Sequence, residues 1–174
     1  MISALVYDAD GVDHQRVDDA ADLERVRDAP GKTWVRVSSP TDVEIEAISA
    51  AFSLHPPEIE DVRDGVRPKM EEFEGHTFVV VKTVALERGE TTFEEEVRTE
   101  PIGLFLGENW LVTITDEDGR LPAVSSVWQS VENQQGRILR QGTDFAAYRV
   151  IDEVVEGYFD LLDTVGDTIE EIEE

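Results

Sequence analysis

The most informative stretch of this chain is His55-Pro56-Pro57-Glu58-Ile59-Glu60-Asp61, followed after five intervening residues by Arg67-Pro68-Lys69-Met70-Glu71. Proline is favoured at the first position of a helix, because its missing N–H needs no partner there. The first segment therefore predicts a short acidic helical turn that begins at the prolines. The second segment predicts a basic connection that leads into a strand.

Signals for strands and helices alternate on both sides of this stretch. Before it, the sequence predicts a strand over 2–7 ended by an Asp10-Gly11 hairpin turn, a helix over 18–28, a strand over 33–37 and a helix from Thr41 to about Phe52. After it come a strand region made of Phe73 and 77–86, two strands over 102–106 and 110–115, and a helix over 122–133. The acidic residues 87–96 are predicted to form a loop. This alternation predicts one α/β domain over residues 1–143, with a mixed β-sheet flanked by helices as an α/β/α sandwich.

The helix that follows Thr41 has both a start signal and an apolar face. Thr41 and Glu44 have the spacing of a capping box. The positions that we expect to form one apolar stripe are Val43, Ala47, Ile48, Ala51 and Phe52.

The last segment, residues 144–174, has a different pattern. Apolar residues recur at alternating spacings of three and four, as in the a and d positions of a coiled coil. This heptad seam consists of Tyr148, Ile151, Val155, Tyr158, Leu162, Val165, Ile169 and Ile172. Acidic residues occupy most outward positions, and no stop signal appears before Glu174. We expect the start of a long stalk helix that continues beyond this sequence, with a seam that packs on a returning helix or on another subunit.

Composition narrows the function classes. Asp and Glu total 40 against 15 Lys and Arg, which gives a formal net charge of -25 and makes binding to a phosphate backbone unfavourable. The chain has no cysteine, which excludes disulfides, iron–sulfur clusters and thiol nucleophiles. No apolar run approaches the roughly 18 residues of a membrane span. We expect the chain as given to be soluble, and its acidic surface indicates adaptation to a high-salt cytoplasm.

Motifs of catalysis and nucleotide binding are absent from the sequence. There is no dinucleotide-binding or phosphate-binding glycine loop and no serine-nucleophile elbow. His14, His55 and His76 lie far apart without the spacing of zinc ligands, so we interpret each as structural. These observations argue against an enzyme.

Several motifs resemble those of the CorA-type divalent cation channels, and together they extend from Trp34 to Ile172. Phe52-Ser53-Leu54-His55-Pro56 resembles the family's Phe-Gly-Ile-His-Pro, and residues 67–73 resemble its Arg-Pro-Lys-x-Glu-x-Phe. Asn109-Trp110-Leu111-Val112-Thr113 resembles its Asn-x-Leu-x-Thr strand, and residues 144–159 resemble the start of its stalk. The chain departs from the pattern at Pro57, where the family usually has Leu.

The resemblance implies the cytoplasmic regulatory domain of a magnesium channel that also accepts cobalt or nickel. In such a family the complete protein is a homopentamer in the cell membrane, and its pore lies in a C-terminal part that this sequence does not include. Regulatory Mg²⁺, or another divalent cation, binds between subunits and closes the pore. The positions that match the family's metal ligands are Glu60, Asp61 and Asp152.

Other interpretations remain open at this point. From the residues alone, Glu60 and Asp61 fit a solvated acidic turn at least as well as a metal site. A zinc-transporting relative belongs to the same superfamily, although the lack of cysteine argues against a soft-metal site. A stand-alone acidic interaction module could pair through the heptad seam. A hydrolase that uses paired carboxylates is the weakest alternative, since no nucleophile–base set is visible.

The charge generates the first prediction. At low ionic strength the net charge of -25 should oppose the compact state, whereas in molar salt the Debye length shrinks to about 3 Å. We expect the melting temperature to be higher in molar potassium chloride than in dilute buffer, as measured by circular dichroism. Equal melting temperatures would remove the basis for the high-salt interpretation.

The same charge should keep the isolated chain from associating more than weakly in dilute buffer, as measured by light scattering.

Overall fold

The computed structural model describes residues 1–86, 97–116 and 121–173, so the predicted loop at 87–96 lies outside the described residues. The strands in these ranges are β1 (Ile2–Asp8), β2 (Gly11–Gln15), β3 (Lys32–Ser38), β4 (Lys69–Phe73), β5 (His76–Leu86), β6 (Val97–Leu106) and β7 (Trp110–Thr115). The helices are α1 (Ala20–Arg27), α2 (Asp42–Phe52), α3 (Pro56–Arg63), α4 (Pro122–Glu132) and α5 (Thr143–Glu173), with a 3₁₀ turn at Ile138–Arg140.

The strands form one seven-stranded sheet in the order β2-β1-β3-β7-β6-β5-β4. The central pair, β3 and β7, is parallel, with Trp34 opposite Leu111. The other neighbouring strands are antiparallel. The predicted mixed sheet is therefore confirmed, and so are the hairpins at Asp10-Gly11 and at residues 107–109.

Helices cover both faces of the sheet and divide the core into two clusters. The α5-side cluster contains α4, the 3₁₀ turn and the first turns of α5, and Trp34 contacts Trp128 edge to face at 5.1 Å between ring centroids. The α3-side cluster contains the buried faces of α1, α2 and α3. Side chains alternate between the faces of a strand, so Phe78 and Val80 of β5 join the α3-side cluster while Val79 and Val81 pack on the other. The predicted α/β/α sandwich is confirmed.

Two details of the sequence prediction are wrong. The basic connection leads directly into a separate strand, β4, which pairs with β5, whereas we had expected one strand region around Phe73 and 77–86. In α2, Ile48, Ala51 and Phe52 are buried, but Val43 is 75% exposed. Val43 stands in the first turn of α2, and its place in the apolar pattern does not bury it.

The long helix α5 has two apolar stripes, of which the heptad pattern revealed one. The stripe that packs into the α5-side cluster consists of Ala146, Ala147, Val150 and Val154. The heptad seam lies mainly outside that contact: Tyr148 is 55% exposed, Leu162 63% and Ile169 52%. Among the residues that the structure describes, Tyr148, Leu162 and Ile169 of the seam therefore remain largely uncovered within one chain.

The position of α3 over the sheet depends on a glycine in β6. A Cβ atom at Gly103 would overlap the Val62 side chain, which packs from α3 onto that strand. The helix therefore lies close to the backbone of β6, and a larger residue there would push it away.

We expect Gly103→Ala to lower the free energy of unfolding by about 1–3 kcal/mol, because added carbon in a packed core forces shifts of its neighbours. Urea unfolding in high salt would measure this. Gly11→Ala is the matched control, since a Cβ there meets nothing within 4 Å. If both variants unfold at the same urea concentration, the close packing of α3 on β6 is not a constraint.

Candidate metal centre

The acidic turn is α3, and its start follows the sequence signals. Pro56 and Pro57 occupy the first helical positions. The third position is Glu58, whose Oε2 accepts a hydrogen bond from the backbone N–H of His55 at 2.6 Å. Such a bond satisfies a donor that the first turn of a helix otherwise leaves free.

Glu60 and Asp61 project from α3 on the side away from the core. Glu60 is exposed, and Asp61 is partly exposed. The Asp61 carboxylate pairs with the Lys69 ammonium at 2.5 Å, and Lys69 also contacts Glu71 at 2.9 Å. These bonds, the one to Asp61 first, raise the pKa of Lys69. Lys69, the first residue of β4, thus supplies a cation at Asp61.

Asp152 lies on α5, next to Ile151 of the heptad seam, and is partly exposed. Because α3 and α5 cover opposite faces of the sheet, one chain does not bring Asp152 together with Glu60 and Asp61. Across residues 1–86, 97–116 and 121–173, no three His, Cys, Asp or Glu side chains converge as a metal site. Of the three predicted ligands, Glu60 and Asp61 lie together on α3, and Asp152 lies apart from them on α5.

A buried polar pair below the acidic turn was not predicted from the sequence. Glu58 Oε1 lies 2.7 Å from His76 Nε2, and each side chain is 2% exposed. We interpreted His76 as structural, but its partner, 18 residues away, was not identified. The position of Glu58, third in its helix, is a sequence signal for a cap at the helix start. It carries no information about a contact with the distant strand β5.

Aromatic rings enclose this pair. The His76 ring stacks on Phe73 at 5.3 Å between centroids, and Phe105 and Trp110 lie at 6.4 and 6.1 Å. The rings exclude water from the imidazole, so Glu58 provides the polar contact that a buried histidine requires.

None of the helices that the structure describes is both long and apolar enough to cross a lipid bilayer.

Comparison with known proteins relates the chain to one protein family. The sequence model of a family described as CorA-like Mg²⁺ transporter protein matches residues 31–174. The cobalt/magnesium transport protein CorA of Thermotoga maritima is 29% identical over 159 residues, covering 88% of this chain and 43% of that protein. The putative metal ion transporter YfjQ of Bacillus subtilis is 29% identical over 142 residues, covering 81% of this chain and 41% of that protein. The chain therefore spans less than half the length of these relatives.

Solved structures share the fold. The complete structure of the CorA magnesium transporter from Methanocaldococcus jannaschii matches 99% of this chain and 50% of that chain, with a TM-score of 0.70 and 20% identity. The cytoplasmic domain of ZntB from Vibrio parahaemolyticus matches 97% of this chain and 63% of that chain, with a TM-score of 0.69 and 11% identity. At such identities the likeness concerns the arrangement of helices and strands.

Proposed function

The chain belongs to the CorA-like Mg²⁺ transporter family, and we propose that it is the cytoplasmic regulatory domain of a magnesium channel. In this proposal Mg²⁺ binds between neighbouring copies, with Glu60 and Asp61 from one copy and Asp152 from the next. The complete protein would be a pentamer held in the membrane by a C-terminal part beyond these residues. The observation that carries the proposal is the position of the acids on opposite faces of one sheet.

That position favours a site between subunits. A metal ion that used all three carboxylates could not do so within one chain, because the sheet separates α3 from α5. The outward-facing acidic turn of one copy could instead meet the α5 surface of another. The exposed heptad seam beside Asp152 supplies apolar area for such a contact.

The donor set suits magnesium. Mg²⁺ prefers oxygen ligands and keeps several of its waters, so a few carboxylates that face one another through water are sufficient. The three candidate ligands are carboxylates and the chain has no cysteine, so the candidate site offers oxygen donors and no thiolate. An ion at Asp61 must either share the carboxylate with Lys69 or displace the ammonium.

The regulation follows from electrostatics. Without a divalent ion, carboxylates across an interface repel one another, most of all in a chain with a net charge of -25. A bound ion removes this repulsion and joins the copies, which would hold the channel closed when cytoplasmic Mg²⁺ is plentiful. The ion can shift the equilibrium only by the difference between its affinities for the closed and open states.

We expect weak self-association of this chain that strengthens as MgCl₂ is added at constant ionic strength, measured by sedimentation velocity. Asp61→Ala and Asp152→Ala should each weaken the Mg²⁺-dependent part by about tenfold or more, because even outer partners of a metal site carry effects of this size. Asp163→Ala removes one exposed carboxylate from the same helix as Asp152 and is the charge-matched control.

A mixture of the two single variants distinguishes a shared site from general charge repulsion. Asp152→Ala chains still provide Asp61, and Asp61→Ala chains still provide Asp152, so a mixed pair can form one intact site. The mixture should therefore associate more strongly with Mg²⁺ than either variant alone. If all variants respond to Mg²⁺ like the unmodified chain, these acids belong to the solvated surface and the proposal fails.

A further inference from the structure

The buried Glu58–His76 pair connects the acidic turn to the sheet. Glu58 uses both carboxyl oxygens: Oε2 accepts from the His55 N–H at 2.6 Å, and Oε1 contacts His76 Nε2 at 2.7 Å. One side chain therefore fixes the start of α3 and ties it to the first residue of β5. Glu60 and Asp61 follow Glu58 within one helical turn, so their directions depend on how that turn is held.

Apolar packing alone constrains α3 less strictly. Ile59 and Val62 are buried against the sheet, and this burial holds the helix down. Hydrophobic contact is non-directional, however, and an eight-residue helix has little stability of its own. A hydrogen bond that requires a short distance and a favourable angle fixes the rotation and sliding of α3, on which the placement of two adjacent carboxylates depends.

The strand that carries His76 also contacts the long helix. Val79 and Val81 of β5 pack against the α5-side cluster. Farther along the strand, the Tyr158 hydroxyl of α5 donates a hydrogen bond to the Lys82 carbonyl at 3.0 Å. The two helices that carry the candidate ligands are thus attached to the same strand from opposite faces.

We propose that Glu58 and His76 are positioning residues that fix the acidic turn to β5 and make it move as one unit with α5. This inference rests on the proposed function, because it assigns the pair to the placement of Glu60 and Asp61 for metal binding. Without the pair, α3 keeps its apolar contacts, but its carboxylates no longer have a fixed place relative to α5 and to a neighbouring copy.

The chain contains its own control for a loss of stability. In α2, Glu44 also occupies the third helical position, and its Oε2 accepts from the Thr41 N–H at 2.8 Å. Glu44→Ala removes a cap of the same kind at a side chain that bonds to Thr41 and to the Met1 amino group rather than to α3. Glu58→Ala removes the cap and the contact with His76. Glu58→Gln keeps one oxygen that accepts from the His55 N–H, and its NH2 group can donate to Nε2 of an imidazole that carries its proton on Nδ1. His76→Leu removes the contact from the strand and preserves the cap, so it is the second variant should Glu58→Ala fail to fold.

Two measurements test the inference. Amide hydrogen exchange reports how firmly α3 is held, and we expect Glu58→Ala and His76→Leu to accelerate exchange in residues 59–63 by about tenfold, the scale of one buried hydrogen bond. Mg²⁺-dependent association should weaken by about the same factor in these variants. Glu58→Gln should remain within about threefold of the unmodified chain in both measurements, because its carbonyl oxygen can accept from His55 while its NH2 group donates to His76. Glu44→Ala should accelerate exchange in α2 without weakening the response to Mg²⁺.

The outcomes separate this inference from the proposed function. If exchange in α3 is unchanged by Glu58→Ala and His76→Leu, the pair does not position the turn. If exchange rises while the response to Mg²⁺ equals that of Glu44→Ala, the pair is structural only, and the inference is overturned. If the unmodified chain itself shows no response to Mg²⁺, the proposed function fails, and the exchange of α3 alone then decides whether the pair fixes the turn to β5.

Discussion

The contact between Glu58 and His76 is the constraint on which the placement of the acidic turn depends. A carboxyl group and an imidazole that are 2.7 Å apart and 2% exposed each satisfy the other, in a site where either alone would be costly. Their contact joins α3 to β5, while Gly103 lets α3 approach the neighbouring strand. The apolar face of α3 and the Glu58–His76 pair therefore both hold the acidic turn on the sheet.

A comparison of two glutamates shows how much the surroundings decide. Glu44 and Glu58 occupy the same position in their helices, and each accepts a hydrogen bond from the backbone at the helix start. Glu44 is partly exposed, so its bond competes with water and adds a modest amount to helix stability. Glu58 is buried and reaches a strand as well. The same local motif therefore serves as a cap in α2 and as a tertiary connection in α3.

The sheet also determines what the acidic surface can do. Most ion pairs in the described part of the chain are partly or largely exposed, as for Arg16 with Asp18, and such pairs contribute about 0–1 kcal/mol each. The two apolar clusters therefore provide most of the stability. The excess of carboxylates acts instead through the negative electrostatic field around the protein. Near α3 that field is partly offset by Lys69, which lies between Asp61 and Glu71. A divalent ion that approaches α3 would therefore find the charge of Asp61 partly neutralised by Lys69, whereas the Glu60 carboxylate remains exposed.

The sequence by itself determined the local structure and the family. Pro56, the Thr41–Glu44 cap, the glycine turns and the heptad spacing each act within a few residues, so helices, hairpins and the mixed sheet could be predicted from them. The tertiary structure decided what depends on distant residues. It paired Glu58 with His76, left Val43 exposed, buried Ala146 and Val150 rather than the heptad seam, and placed Asp152 across the sheet from Glu60 and Asp61. Periodicity reports which residues share a face of a helix, whereas the strand order decides which face the sheet covers.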